Sequence, residues 1–270
     1  MLATKGAFDL DPGERAQLER DGLVVRHNVF DPAELRAIAE ACEDLVSRLE
    51  AAKRKEKHVV GSYMFEVLRD EGTVVKWEPN APEVMQGVEP FAHISPPLRD
   101  WGLDARLLDP CKAIVGQDDI ILFTEKLNVK RARFGGDIVL HQDFPYWESM
   151  TPIANRVATA MIFLDDADLE NGCLEVAPGT HASGKFKQRG VDGFGGLEMD
   201  MDAFDLARLQ PLEVKAGTVA FFGAFLVHRS LPNLSSRDRR ALLYSYQPAG
   251  HPHAVELNRL TREKAARASA

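Results

Sequence analysis

From Asp119 onward the chain breaks into short apolar runs separated by turn signals, and this texture limits the possible folds more than any other feature. The runs are Ile120–Val129, Asp137–Gln142, Val157–Leu164, Cys173–Val176, Leu212–Val214, Thr218–Phe222, Leu226–His228 and Arg240–Tyr246. Asn171-Gly172, Pro178-Gly179 and Ala216-Gly217 supply turns between them. Many short strands at close spacing build a sandwich or barrel, because each strand has one face that must be covered by another sheet. The expected fold is β-rich α+β, with a double-stranded β-helix (jelly-roll) core and helices packed against one sheet.

The first part of the chain reads differently. Pro12 to Asp21 is a short helix candidate, and Leu23-Val24-Val25 a short strand after Gly22. Asp31-Pro32 offers an N-cap and a proline at the first helical position. Leu35, Ile38, Ala39, Cys42, Leu45, Val46 and Leu49 then recur in steps of three and four, which places them on one face of a helix. Tyr63–Leu68 and Thr73–Trp77, joined through Asp70-Glu71-Gly72, read as a β-hairpin. No repeat, low-complexity tract or linker divides the chain. A single domain over 1–270 is expected, with a helical N-terminal part to about 118, the jelly-roll core over about 119–248 and a helical tail over 252–270. Gly184 to Ala207 is a long Gly- and Asp-rich insertion, expected to be a mobile lid around Gly193-Phe194-Gly195-Gly196.

Composition excludes several classes. With 45% apolar and 27% charged residues the chain is an ordinary globular protein rather than a disordered one. No apolar run is long enough to span a bilayer, and a membrane role is not expected. A net charge of −8 argues against a nucleic-acid binder. Cys42, Cys111 and Cys173 form no Cys-x-x-Cys pair. They are expected to be small buried residues in a reducing, cytoplasmic setting.

Only one of the eight histidines lies in a His-x-Asp pattern, His141-Gln142-Asp143, on an expected strand. Residues two apart on a strand share a face, so imidazole and carboxylate should project together. His228 ends another expected strand. Two histidines and one carboxylate with open positions opposite make the facial triad of non-heme Fe(II) oxygenases, although zinc also uses such a set.

The context of His228 narrows this choice. Ser230, Asn233, Ser235 and Arg239 follow it at two, five, seven and eleven residues. This block resembles the phytanoyl-CoA dioxygenase family of Fe(II)/2-oxoglutarate enzymes, which carries the same residues at those intervals after its distal histidine. The segment from Asn171-Gly172-Cys173-Leu174 to Pro178-Gly179-Thr180-His181 is similar to the family's Asn-Gly-x-Leu…Pro-Gly-Ser-His element. Phe30-Asp31-Pro32 after Asp21-Gly22 resembles the family's opening. The resemblance covers roughly residues 14 to 248.

The resemblance implies that His141, Asp143 and His228 ligate Fe(II). It implies that Arg239 pairs with the distal carboxylate of 2-oxoglutarate, that Ser230 bonds the same carboxylate, and that Asn128 faces the co-substrate's other end. O₂ would be the third reactant, and the outcome hydroxylation of a small-molecule metabolite or natural-product intermediate, with release of succinate and CO₂. Phe144, Tyr146 and Trp147, directly after Asp143, are expected to line the substrate pocket. On the last strand Arg239 should share its face with Ala241, Leu243 and Ser245, and Arg240 should point the other way. Asn233 and Ser235 shape a turn, Arg237 is solvated, His181 is structural, Glu175 faces outward, and His251 and His253 lie in a solvated loop. A monomer and a homodimer are both compatible with the sequence. The rival readings are a halogenase, in which Gly or Ala replaces the carboxylate ligand, a zinc hydrolase, and a non-catalytic jelly-roll binding module.

Overall fold

A computed structural model describes residues 6–52, 57–60, 63–68, 72–189 and 198–259. The chain opens with helix α1 (Pro12–Asp21), strand β1 (Leu23–Arg26) and helix α2 (Pro32–Ala51). Four strands follow: β2 (His58–Val60), β3 (Tyr63–Leu68), β4 (Thr73–Glu78) and β5 (Ala81–Glu89). Helices α3 (Pro96–Trp101) and α4 (Ala105–Val115) lead to the long strand β6 (Ile120–Lys130) and then to β7 (Ile138–His141). The one-turn helix α5 (Phe144–Trp147) precedes β8 (Ala158–Phe163) and β9 (Leu174–Ala177). After the small hairpin β10 (Gln188–Arg189) and β11 (Glu198–Met199) come β12 (Gln210–Leu212), β13 (Val219–Gly223), β14 (Val227–Ser230) and β15 (Arg239–Pro248). Residues 254–259 are helical again.

Two sheets face each other. The larger runs β1-β13-β8-β15-β6-β5-β4-β3-β2, and the smaller runs β12-β9-β14-β7. Strands β6 to β9 and β12 to β15 contribute four to each sheet, which is the double-stranded β-helix expected from the spacing of the runs. The two inner faces meet through Met161, Phe163, Leu174, Val176, Phe222 and Ala241. The outer face of the large sheet is covered by helices, through side chains such as Ile38, Cys42, Leu45, Leu107 and Cys111. α2 starts where the sequence places it: Asp31 accepts from the backbone of Ala33 and Glu34, and Glu34 reaches back to close a capping box.

The N-terminal part departs from expectation. Besides helices α1 to α4, the expected strand β1 and the expected β3–β4 hairpin, it holds β2 and β5, and these five strands widen the large sheet at both edges. The hairpin of Tyr63–Leu68 with Thr73–Glu78 forms in antiparallel register, Leu68 opposite Thr73. Its strands alternate, so β4 buries Val75 and Trp77 in the helix-covered core and turns Lys76 to the other face. In the Gly184–Ala207 insertion, the Gly193-Phe194-Gly195-Gly196 stretch lies outside the described residues. Its flanks pack rather than float: Met199 and Phe204 sit with Leu140, Ala177 and Val227. Of the expected C-terminal tail only the first part is described, and His253 there is no solvated loop residue. It meets the fully buried Glu125 at 2.6 Å, which ties the chain end to β6.

Cys42, Cys111 and Cys173 are buried and unpaired with one another, and burial pushes the Cys42 thiol up to about 12. Among the described residues no helix is long and apolar enough to cross a membrane.

Candidate active site

β7 and β14 are neighbours in the small sheet, with His141 and His228 in direct register. Their rings lie 4.1 Å apart, centroid to centroid. Each ring is held by its own strand. His141 Nδ1 is 2.7 Å from the carbonyl of Val139, and His228 Nδ1 is 3.0 Å from that of Leu226. A carbonyl only accepts, so Nδ1 carries the hydrogen in both rings and Nε2 is left with a free lone pair. Burial and the neighbouring His228 hold His141 well below the usual histidine range, which keeps it neutral as a metal ligand must be.

Asp143 reaches the same point by a route the sequence pattern did not suggest. β7 ends at His141, and Asp143 is helical in conformation, at the entry to α5. The same-face argument for a strand therefore does not apply to it. The turn is fixed by Gln142, which is fully buried and faces away from the site. Its amide bonds the carbonyls of Gly184 and Phe225 and accepts from the Phe186 N–H. Asp143 makes no capping bond to its helix, so its carboxylate is free to turn to the histidines. Oδ1 lies 3.7 Å from His141 Nε2, and one ligand atom from each of His141, Asp143 and His228 falls within 4.8 Å of the others. That clustering of two neutral imidazoles and a carboxylate fits a divalent first-row metal.

These residues open into a cavity of about 430 Å³ between the sheets. Arg239 and Ser230 line it. Arg239 is 1% exposed, yet among the described residues Nε, Nη1 and Nη2 have no hydrogen-bond partner, nor does the buried Ser230 Oγ. Burial lowers the guanidinium to about 10, which leaves it charged at neutral pH. An unpaired buried charge is costly, so this group is built for a ligand. Arg240, one residue on, points the opposite way and is saturated by Asp165 at 2.7 Å and Glu43 at 3.0 Å. The alternation expected for β15 is thus present, with Arg239, Ala241 and Leu243 paired to Lys130, Asn128 and Lys126 of β6.

The other expected residues separate into two groups. Asn128, Tyr146 and Trp147 line the cavity. Phe144 is not among the lining residues and stacks on Phe225 at 4.5 Å. Asn233 ties its loop to the carbonyls of Lys130 and Arg237, and Ser235 bonds Asn233. Arg237 is half exposed and pairs with Asp168. Glu175 is buried rather than outward-facing, in an ion pair with Arg229 at 2.7 Å. Gly172 is required where it stands. Its φ is +72°, and a Cβ there would meet the Leu231 carbonyl at 2.2 Å, directly after Ser230. Lys76, Glu89 and Lys126 are among the cavity residues that had no recognised sequence signal.

This fold and site define a jelly-roll oxygenase of the facial-triad type. The family model described as Phytanoyl-CoA dioxygenase (PhyH) matches residues 18–241, and the chain belongs to that family. It is 22% identical over 254 residues to a phytanoyl-CoA dioxygenase of Arabidopsis thaliana, covering 86% of this chain and 87% of the relative. It is 32% identical over 149 residues to a methylphosphonate hydroxylase of Gimesia maris, covering 55% and 53%. Among solved structures it is similar to EctD from S. alaskensis with 2-oxoglutarate and 5-hydroxyectoine. The TM-score is 0.70 at 22% identity, over 88% of this chain and 76% of that one, a likeness of fold.

Proposed function

We propose that this protein is an Fe(II)- and 2-oxoglutarate-dependent dioxygenase that hydroxylates an unactivated C–H bond of a small molecule. The observation that carries the reading is Arg239, a buried guanidinium with three unpaired nitrogens in the cavity that also holds the His141, Asp143 and His228 cluster. A planar guanidinium matches a carboxylate bidentately. The unpaired Ser230 hydroxyl supplies a further donor to the same carboxylate, and Asn128 a polar contact at the other end of the co-substrate. A zinc hydrolase has no use for this second anchoring point.

His141 and His228 would present Nε2 to the iron and Asp143 its carboxylate. When bound, iron and 2-oxoglutarate supply the activation of O₂, with succinate and CO₂ released. The chain's own part is placement. The Val139 and Leu226 carbonyls orient the two rings, Gln142 holds the turn that delivers Asp143, and Tyr146 and Trp147 wall the space beside the cluster. Burial of His141, His228, Ser230 and Arg239 strengthens the polar contacts they make. Asp143 supports hydroxylation over halogenation, since its carboxylate takes the position a halide would need.

Mixing anaerobic protein with Fe(II) and 2-oxoglutarate tests the reading. A weak visible metal-to-ligand charge-transfer band is expected, and its absence at saturating co-substrate overturns the assignment. With a turning-over substrate and excess chloride, mass spectrometry should find an oxygenated product. A halogenated main product would exclude the hydroxylase reading.

A further inference from the structure

Three adjacent strands bring Lys76 of β4, Glu89 of β5 and Lys126 of β6 together on the cavity wall. Glu89 is shared. Its Oε1 lies 2.7 Å from Lys76 Nζ, and its Oε2 lies 3.0 Å from Lys126 Nζ. One carboxylate neutralises one ammonium, so the cluster carries a net positive charge. Each ammonium has three N–H donors and, among the described residues, Glu89 is its one ion-pair partner. Both lysines line the cavity, and their side chains are 28% and 29% exposed. Burial opposes ionisation of Glu89, but the two ammoniums hold it down at about 2, so it stays a fixed anion between them.

Of the other cavity acids, Asp143 lies within electrostatic reach of both lysines. Arg229 is taken by Glu175. Asp137, which is exposed, and Glu198, which is half-buried, line the cavity as well. The surface beside the lysines is apolar, formed by Phe65, Val67, Val74, Phe123, Trp147 and Met150. Burial lowers Lys76 against the pull of Glu89, whereas at Lys126 Glu89 and Asp143 outweigh burial and raise it. A charged clamp beside an apolar wall and a reactive centre is the arrangement that orients an amphipathic acid.

On the dioxygenase reading above, we propose that the substrate is a small acid with an apolar body. Its oxyanion head, carboxylate or phosphate, is held by Lys76 and Lys126. Glu89 is a positioning residue: it fixes the two ammoniums and limits the clamp to one net charge.

Matched eight-carbon probes test this. Octanoate, octyl phosphate, octan-1-ol and octylamine are titrated into the anaerobic protein loaded with Fe(II) and 2-oxoglutarate, by calorimetry and by change in the charge-transfer band. An acid should bind at least roughly tenfold more tightly than the alcohol, and the amine least. The ranking of octanoate against octyl phosphate identifies the head group. Lys76→Gln and Lys126→Gln should each lose roughly tenfold for the acid and leave the alcohol unchanged, which also reports an intact cavity. Glu89→Gln should tighten acid binding, because it removes the carboxylate held between the two ammoniums. Equal binding of alcohol or amine overturns the proposal, and so does a Glu89→Gln variant that weakens acid binding as the lysine variants do, which is the mark of a purely structural ion cluster. Quenching of tryptophan fluorescence by the same probes in metal-free wild type, Lys76→Gln and Arg239→Ala keeps the two readings apart. Loss in the lysine variant with retention in the arginine variant supports the acid clamp even if no charge-transfer band forms. The reverse pattern places the acid at Arg239 and sinks it.

Discussion

The cavity carries positive charge in two places, and the two are managed in opposite ways. Arg239, paired in register with Lys130 of β6, has no acidic partner and no side-chain hydrogen bond among the described residues, although it is fully buried. Lys76 and Lys126 share one carboxylate and keep part of their surface open to the lumen. Lys126 and Lys130 are four residues apart on the same face of β6, so roughly 13 Å of strand separates the two arrangements. A guanidinium out of water without a counter-ion costs stability in the empty protein, and that cost is relieved by a ligand that supplies the missing charge. The lysine cluster is partly balanced by its own carboxylate and needs a ligand less. The first place is therefore built for an obligatory anion, and the second for one that comes and goes.

The sharpest break of this comparison is at the metal cluster that lies between the two functions. His141→Ala or His228→Ala should abolish turnover while circular dichroism and melting temperature stay near wild type. Near-normal Fe(II) binding and activity in either variant would remove the cluster from the chemistry. Next in size is the arginine. Arg239→Ala should raise the 2-oxoglutarate requirement by about 30- to several-thousand-fold, the equivalent of about 2–5 kcal/mol for a desolvated charged contact, with Fe(II) binding largely kept. Its apo form should melt at or above the wild-type temperature, because an uncompensated buried charge has gone. Arg240→Ala should do the reverse: co-substrate affinity holds, and stability falls by about 1–3 kcal/mol through loss of the contacts to Asp165 and Glu43. Should Arg240→Ala carry the co-substrate defect instead, the two faces of β15 have been assigned the wrong way round.

The two places also differ in how far they could be read from the chain alone. The Arg239 end is local in sequence. His228, Ser230 and Arg239 lie within one block, and strand alternation separates Arg239 from Arg240. The lysine end is assembled from β4, β5 and β6, and nothing in a single strand's pattern says that Lys76, Glu89 and Lys126 will meet. An isolated lysine on an alternating strand has the same signature whether it faces solvent or a cavity. The jelly-roll strands from Ile120 onward were legible because each is a short apolar run between turns. The widening of the large sheet by β2 to β5 was not, because edge pairing with β6 depends on register that composition does not encode. Asp143 shows a right placement reached by a wrong path, since proline at position 145 turns the chain into α5 one residue after it. Phe144 was misplaced for the same reason, because a helical turn spreads neighbouring side chains around its axis.

The smallest expected effect concerns Lys130, and it reads the charge at the Arg239 end directly. Lys130 is 1% exposed, and its ammonium donates to the carbonyls of Gly136 and Leu231, the latter at 2.7 Å. Burial, helped by the charge of Arg239, brings it down from 10.5 to about 7. The unfolded chain therefore binds the extra proton between about pH 7 and 10.5 while the folded one has released it. Stability from this group must rise with pH across that window, and the cost is fully present below it. Lys130→Met should flatten this rise in denaturant titrations at pH 7 and 9, even if the freed carbonyls lower stability at both. A 2-oxoglutarate dianion set against Arg239 cancels the repulsion and favours the protonated lysine. Near neutral pH, binding of co-substrate should therefore take up a fraction of a proton, seen as a dependence of the calorimetric heat on the ionisation enthalpy of the buffer. The uptake should disappear in Lys130→Met. Equal uptake in both proteins would mean that the co-substrate's charge is not felt at Lys130, and that the anion does not sit against Arg239.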